Sequence, residues 1–355
     1  LMKKISIIIP TRNRPEYLRR VLSYFNEYGG DCNVIVADAS SDKNKKRNEE
    51  IIFSFSNLNI TQLSSHPSEL RDLDVYYAIK DVKEKYCVLC ADDDFITANG
   101  INQSVDFLER NPDFTVAHGY YITFWLKTDN KGKRKFYWAP RYIHKSITFP
   151  DAKSRLAFHL SHILPYLPTL YGVHRTDFLK MIFKEVTKFT NDTLFGELLS
   201  SMLTIIYGKM KHLDVLYAAR EAAPKNVSHP GIKNLINAGT YDEKYARFKD
   251  CLATHLSKKS ELDVEESKRV VDSAMSVYLS THLKKGARVR MKDILGYLRL
   301  SDWLPLSIDE EIRILSRKVF LPKGMNDFPP VDVSSSKYYD DFNKIRHHVL
   351  FYSWR

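Results

Sequence analysis

The sequence predicts an α/β fold: a mostly parallel sheet flanked by helices, followed by a helical C-terminal region. Two observations carry this. From Lys4 to about residue 125, short apolar runs closed by a polar residue or proline alternate with stretches whose apolar residues recur at helical spacing. Alternation with short connections builds a parallel sheet covered on both faces. After about Asp151 the strand-like runs thin out and helical periodicity takes over.

Lys4 to Pro10 reads as the first buried strand, stopped by proline. Pro15 sits at a first helical turn, and Leu18, Val21, Leu22 and Phe25 mark the buried side of that helix. Asn33 to Ala37 is the next strand, closed by Asp38. A polar stretch, Ser40 to Asn48, leads into a helix over Glu49 to Phe55. A weaker strand near Ile60 to Leu63 precedes a helix from Ser68 to Val82, and Tyr86 to Ala91 is the next strand. A helix over Gly100 to Arg110 ends at Asn111-Pro112, Phe114 to Phe124 alternates as a strand, and Lys127 to Lys135 reads as a polar hairpin tip. Further helices are expected over Asp192 to Tyr207, Tyr241 to Leu256, Val264 to Leu283 and Ile308 to Leu315, and the tail from Pro329 to Arg355 is expected to pack as an arm.

The chain has 355 residues, of which 44% are hydrophobic and 12% aromatic, ample for a packed core. No stretch approaches the ~18 apolar residues of a membrane helix, and Leu1 to Pro10 reads as a strand rather than a secretory signal. Four cysteines are too few for a disulfide scaffold. Cys87 and Cys90 stand three apart in an extended strand, so they point to opposite faces and are read as small core residues of a reducing cytoplasm. The net charge of +11 suits nucleic acid, an anionic membrane, a phosphate-bearing substrate or a plain solvated surface, and does not choose among them.

Asp92-Asp93-Asp94 is the chemically pointed segment. It directly follows Cys87 to Ala91, so three carboxylates gather where a buried strand ends. They repel one another unless a cation sits among them, and an all-oxygen donor set favours Mg²⁺ or Mn²⁺ over zinc. The bland alternative is an acidic loop that caps the next helix. In open α/β sheets ligands bind at the carboxyl ends of strands, where this triplet falls.

Three segments in order carry a family resemblance. Ser6 to Arg14 (Ser-Ile-Ile-Ile-Pro-Thr-Arg-Asn-Arg) is similar to the opening strand and loop of family 2 nucleotide-sugar glycosyltransferases with the GT-A (Rossmann-like) fold. Val34 to Asp42 resembles their second strand and its D-x-S-x-D loop, and Tyr86 to Ile96 resembles their metal-binding D-x-D segment. The resemblance covers residues 3 to 125 well and thins toward about 230. It implies an enzyme that moves a sugar from a nucleoside diphosphate to a hydroxyl, with an ion stabilising the charge that grows on the leaving diphosphate. Asp38 would accept a hydrogen bond from the nucleobase, uracil by default, with Ser40 beside it. Pro10, Thr11, Arg12 and Arg14 would line the nucleoside and donor. One departure is visible: ungapped alignment puts Ala91 at the family's first aspartate. Asp93 and Asp94 are therefore ranked first as metal ligands, with Asp92 either a third ligand in shifted register or a neighbour of the ribose or donor sugar. Arg71 would pair with the diphosphate, or with Asp72 or Asp74 at the surface.

Tyr171 to Asp177 resembles the segment before the acceptor half of these sites, and Asn191-Asp192-Thr193-Leu194 resembles their E-D-x-x-L, with asparagine in place of glutamate. An inverting transferase needs a carboxylate to deprotonate the acceptor. Asp192 is the candidate base and Glu197 the reserve; the structural reading of Asp192 is a helix N-cap. Lys211 to Arg220 resembles the closing strand and arginine of the catalytic domain. In some such enzymes a histidine completes the metal site here, which extends to His229, with Lys225 a phosphate contact. Phe136-Tyr137-Trp138 and the helix carrying Arg155, His159 and His162 would shape acceptor specificity.

The expected organisation is a catalytic domain over 1–238, divided into a nucleotide-sugar-binding half (1–125) and an acceptor-side half (126–238), then a basic helical region and tail over 239–355. The expected activity is inverting transfer, UDP-linked by default, with Mn²⁺ or Mg²⁺, to a glycan, lipid-linked or protein acceptor in bacterial surface polysaccharide biosynthesis. A cytoplasmic location follows. Lys258-Lys259, Lys284-Lys285, Arg288, Arg290 and Lys292 either dock on the anionic inner face of the membrane or belong to a solvated appendage or dimer contact. Two rivals stand against this reading. A metal-dependent nucleotidyltransferase would carry a Gly- and Lys-rich phosphate loop after the first strand, which this sequence lacks. A basic nucleic-acid binder lacks any recognition module, and its charges are dispersed.

Overall fold

The computed structural model describes residues 5–30, 32–64, 71–141, 145–160, 169–189, 193–222, 232–283 and 336–352. Its elements in chain order are β1 (Ser6–Thr11), α1 (Pro15–Tyr28), β2 (Asn33–Asp38), α2 (Asp42–Phe53), β3 (Asn59–Ser64), α3 (Arg71–Asp81), β4 (Tyr86–Leu89), β5 (Asp94–Ile96), α4 (Ala98–Arg110), β6 (Phe114–Thr128) and β7 (Arg134–Arg141). Then follow α5 (Ala152–Leu160), β8 (Val173–Arg175), α6 (Thr176–Val186), α7 (Thr193–Tyr207), β9 (Lys209–Glu221), α8 (Ile232–Asn237), α9 (Tyr241–Ser257), α10 (Val264–Leu283) and α11 (Tyr339–Phe351). The expected α2 is longer than its apolar residues indicate. It starts at Asp42, because Ser41 holds an extended N-cap backbone and the turn Asn44 N–H to Ser41 C=O begins the helix there. The helix expected over 308–315 lies outside the described residues.

The described strands form one sheet in the order β3-β2-β1-β4-β8-β6-β9-β5, with β7 hairpinned onto β6. β1, β2, β3 and β4 run parallel, β8 is antiparallel to β4 and β6, and β6 runs parallel to β9. Strand residues alternate between two apolar clusters, as a sheet covered on both faces requires. Ile7, Ile9, Val34, Val36, Val88 and Cys90 join α1 and α4 on one face. Ile8, Ile35, Ala37, Cys87 and Leu89 join α3, α5, α6, α7, α9 and α10 on the other. Cys87 and Cys90 thus lie on opposite faces, both fully buried and both free thiols.

The C-terminal arm returns to the first face. Phe342 of α11 packs on Phe136 and Trp138 of β7, and Asn99 donates to Asp341 at 2.9 Å. His348 packs edge-on against Tyr24 and lies 3.1 Å from the Arg20 carbonyl of α1. Lys337 and Tyr338 both engage Asp214 of β9.

Three histidines lie on adjacent strands of this sheet. His174 pairs with Val116 across β8 and β6, and His118 pairs with His212 across β6 and β9, their rings 5.7 Å apart. Burial pushes His118 and His174 down to about 4, and burial with the neighbouring His118 pushes His212 down to about 3. All three are neutral in the folded chain at pH 7, whereas the unfolded chain protonates them near 6.5. Between those values the unfolded state binds more protons, so stability present above pH 6.5 is lost as pH falls toward 4, by up to about 1.4 kcal/mol per pH unit for each histidine. Thermal melts from pH 7 to 4.5 should show a greater acid loss of midpoint in wild type than in His118→Gln, since the buried Asp92 and Asp94, pushed up to about 7 and about 6, act in the opposite direction equally in both. Identical pH profiles would remove His118 from the acid sensitivity.

Candidate functional site

β1 lies between β2 and β4, the point where strand order reverses and a crevice opens at the carboxyl ends. Register sets Thr11 opposite Asp38 and Ile8 opposite Leu89. The chain leaving β4 therefore turns beside Thr11, closed by an Asp94 N–H to Ala91 C=O bond of 3.0 Å. β5 then runs antiparallel to β9 with Asp94 opposite Arg220. The apolar strand delivers the aspartates, and the turn separates their directions.

All three aspartates are buried. Asp92 accepts from the Thr11 hydroxyl at 2.8 Å and pairs with Arg14 Nη1 at 2.9 Å. Asp93 pairs with Arg14 Nη2 at 2.9 Å. One guanidinium therefore bridges two carboxylates, held over the Tyr17 ring at 4.0 Å. Asp94 turns away to Arg220 Nε at 2.8 Å and the Glu221 N–H at 3.3 Å. Arg220 in turn stacks 4.5 Å over Tyr171. Arg20, almost fully buried, pairs with Glu221 and reaches the Asp93 carbonyl at 3.4 Å. Burial pushes Asp92 up to about 7 against the pull of Arg14, and Asp94 up to about 6 against Arg220. The cation that three crowded carboxylates demand is supplied here by arginines.

The donor set still fits a hard divalent ion. Arg14 occupies the position between Asp92 and Asp93 where a cation is bound by two carboxylates, and Mg²⁺ is commonly held by one or two carboxylates plus phosphate oxygens and waters. The expected leading pair of Asp93 and Asp94 is not the pair brought together; the bridged pair is Asp92 and Asp93, because Arg220 on the neighbouring strand draws Asp94 off.

A second polar cluster adjoins the first. Asp38, fully buried, accepts from the Ser40 N–H at 2.9 Å, Asn48 Nδ2 at 2.9 Å and Gln62 Nε2 at 3.0 Å. The Ser40 hydroxyl accepts the Asn13 N–H at 2.8 Å, and the Asn13 side-chain carbonyl accepts from Ser41 N–H and Asn44. Asn13 adopts φ 55°, a left-handed backbone that its side-chain bonds help hold. The loops after β1 and β2 are thereby fastened to one another beside the aspartates.

Of the other expected residues, Pro10 ends at the same strand tip half-buried and Arg12 is exposed. Arg71 opens α3, its side chain outside the described set. Asp192, His229, Lys225 and His162 lie outside the described residues. Glu197 faces α10, where burial and this carboxylate push Tyr278 up to about 12. Two acceptor-side expectations change. Arg155 is buried and donates to the carbonyls of Phe149, Pro150, Ile205 and Ile206, capping the end of α7, and His159 is buried too. Phe136 and Trp138 are packed under α11, which leaves only Tyr137 outward, stacked on Trp125. Sequence reasoning missed Arg20 and Glu221. The only sequence signal for Arg20 is a charge on the apolar side of a helix, between Leu18 and Val21.

Residues 6–164 match the family described as glycosyl transferase family 2. Among solved structures the chain is similar to S. aureus TarS residues 1–349 at 14% identity, covering 88% of this chain and 83% of that one, with a TM-score of 0.48. The same protein in complex with UDP gives 16% identity, coverages of 87% and 78%, and a TM-score of 0.47. Its UDP-GlcNAc complex gives 15%, 83%, 80% and 0.47. No curated protein matches the chain.

Proposed function

We propose that the chain is a glycosyltransferase of the family 2 type, the family its residues 6–164 match, and that it transfers a sugar, with inversion, from a UDP-sugar to a hydroxyl acceptor. The observation that carries the reading is the bridged Asp92–Arg14–Asp93 cluster at the strand-order reversal, with the Asp38 loop beside it. Thr11, Arg12, Ser40 and Asp38 line the nucleoside side, and Arg71 approaches the diphosphate. Asp92 and Asp93 would hold Mn²⁺ or Mg²⁺, Asp94 would stay with Arg220, and His229 is a further candidate ligand. When bound, the ion offers Lewis-acid stabilisation to the departing diphosphate. Arg14, released from the two carboxylates, can pair its planar fork with phosphate oxygens. Asp192 takes the acceptor's proton as the hydroxyl oxygen attacks the anomeric carbon from the face opposite the diphosphate. The anomeric C–O bond breaks and its electron pair leaves with the diphosphate.

The proposed organisation is a catalytic unit over 1–238 and a helical region from 239 that covers its second face. The acceptor class is a surface glycan, a lipid-linked glycan or a protein, reached from the cytoplasmic side. Among the described residues, no helix is long and apolar enough to cross a membrane. The basic residues Lys284 to Lys292, proposed for peripheral docking, lie outside the described set.

Calorimetry tests the donor site. UDP binding should strengthen when Mn²⁺ is added, and the gain should vanish in Asp93→Ala. Metal-independent UDP binding of equal strength in wild type and variant would overturn the metal assignment.

A further inference from the structure

We propose that Glu185, Cys251 and His255 form a zinc site that clamps α6 to α9, separate from the aspartate crevice. Cys251 and His255 stand four residues apart on α9, so both project from one face of the helix. Glu185 lies near the end of α6 opposite them. One ligand atom from each residue lies within 4.8 Å of the other two. The geometry of the His255–Glu185 pair is informative. Nε2 and Oε2 are 3.6 Å apart, too far for a hydrogen bond. That is the separation of a nitrogen and an oxygen ligand on one tetrahedral ion, about 3.3–3.6 Å for zinc bonds of about 2.0–2.2 Å.

The surroundings prepare the ring. Tyr207 on α7 bonds His255 Nδ1 at 2.7 Å, which fixes the imidazole and leaves Nε2 for a metal. Burial lowers His255, so the imidazole is neutral, as a ligand must be. Burial pushes the Cys251 thiol up to about 11. Zinc binding therefore breaks the S–H bond, forms a thiolate–zinc bond and releases the proton to solvent. The other groups facing the site are basic. Lys188 pairs with Glu185 Oε2 at 2.7 Å and would yield that oxygen to the ion, while Lys258 bears on Cys251 and Lys259 lies over the Tyr207 ring. One thiolate and one carboxylate neutralise Zn²⁺, and water completes the fourth position. A mixed sulfur, nitrogen and oxygen set selects zinc, whereas Mn²⁺ and Mg²⁺ prefer the all-oxygen aspartates.

The full chain, stripped with a chelator, should bind one zinc in competition with a chromophoric chelator, and zinc should raise its melting temperature. Cobalt in place of zinc should give a thiolate-to-metal absorption band. Cys251→Ser and His255→Gln should weaken zinc binding on the order of a hundredfold and abolish the band. The double variant of Asp93→Ala and Asp94→Ala should keep both signals, which separates this site from the donor site. Alkylation of wild-type Cys251, read by mass spectrometry, should slow when zinc is present. Equal zinc affinity in wild type and Cys251→Ser, loss of the signal in the aspartate variant, or alkylation indifferent to zinc would each overturn the assignment.

Discussion

Asp192→Asn should retain UDP binding while turnover falls by roughly 10²–10⁴, the range for loss of a general base, or about 3–5 kcal/mol added to the barrier. Asp192 directly precedes α7, which opens at Thr193. Asparagine caps a helix about as well as aspartate, so the fold should survive and the loss should fall on kcat rather than on the melting temperature. Steady-state kinetics with a donor and acceptor pair, beside calorimetry with UDP, separates the two. Near-normal turnover would return Asp192 to capping α7 and bring Glu197 forward, although its direction toward α10 would then require an acceptor approaching from that side.

Arg14→Ala should have the opposite profile: a weaker metal-free fold and a larger response to metal. The substitution leaves the buried Asp92 and Asp93 without their shared guanidinium, with the Thr11 hydroxyl still on Asp92. Breaking a buried pair costs about 3–5 kcal/mol, and partial exposure of Arg14 brings the expectation down to about 2–3 kcal/mol. Mn²⁺ then meets two carboxylates with no competing cation, so stabilisation by mass action grows. Melts with and without Mn²⁺ read the difference directly. An identical Mn²⁺ shift in wild type and variant would mean that the ion does not bind between these two residues.

What the sequence made legible was local. β1, β2 and β4 could be read because each is an apolar run ended by a polar residue, and the ends of such strands are where Thr11, Asp38 and Asp92 fall. The opposite facing of Cys87 and Cys90 follows from strand geometry alone and holds in the structure. The cations at the site were legible only in part, because each ion pair joins distant segments: Arg14 to Asp93, Arg220 to Asp94 and Arg20 to Glu221. The demand for positive charge was evident from the triplet, but an arginine and a metal answer it equally well on paper. Arg155 misled for a related reason. A guanidinium on an amphipathic helix looks available to substrate until the carbonyls at the end of α7, fifty residues on, are seen to take it.

The seat of α11 has a consequence for synthesis. His348 meets the Arg20 carbonyl across 328 positions of chain, and non-local closures of this kind come late in folding. As the chain leaves the ribosome, Tyr24, Phe95, Phe136 and Trp138 are all present before their cover exists. Roughly 200 residues separate β7 from α11, on the order of 10–40 s of translation at 5–20 residues per second. Throughout that interval an aromatic patch on the nascent sheet faces solvent, open to chaperones and to neighbouring nascent chains. A chain halted before Ser336 would carry that patch permanently, so premature termination should yield aggregation rather than a smaller active enzyme.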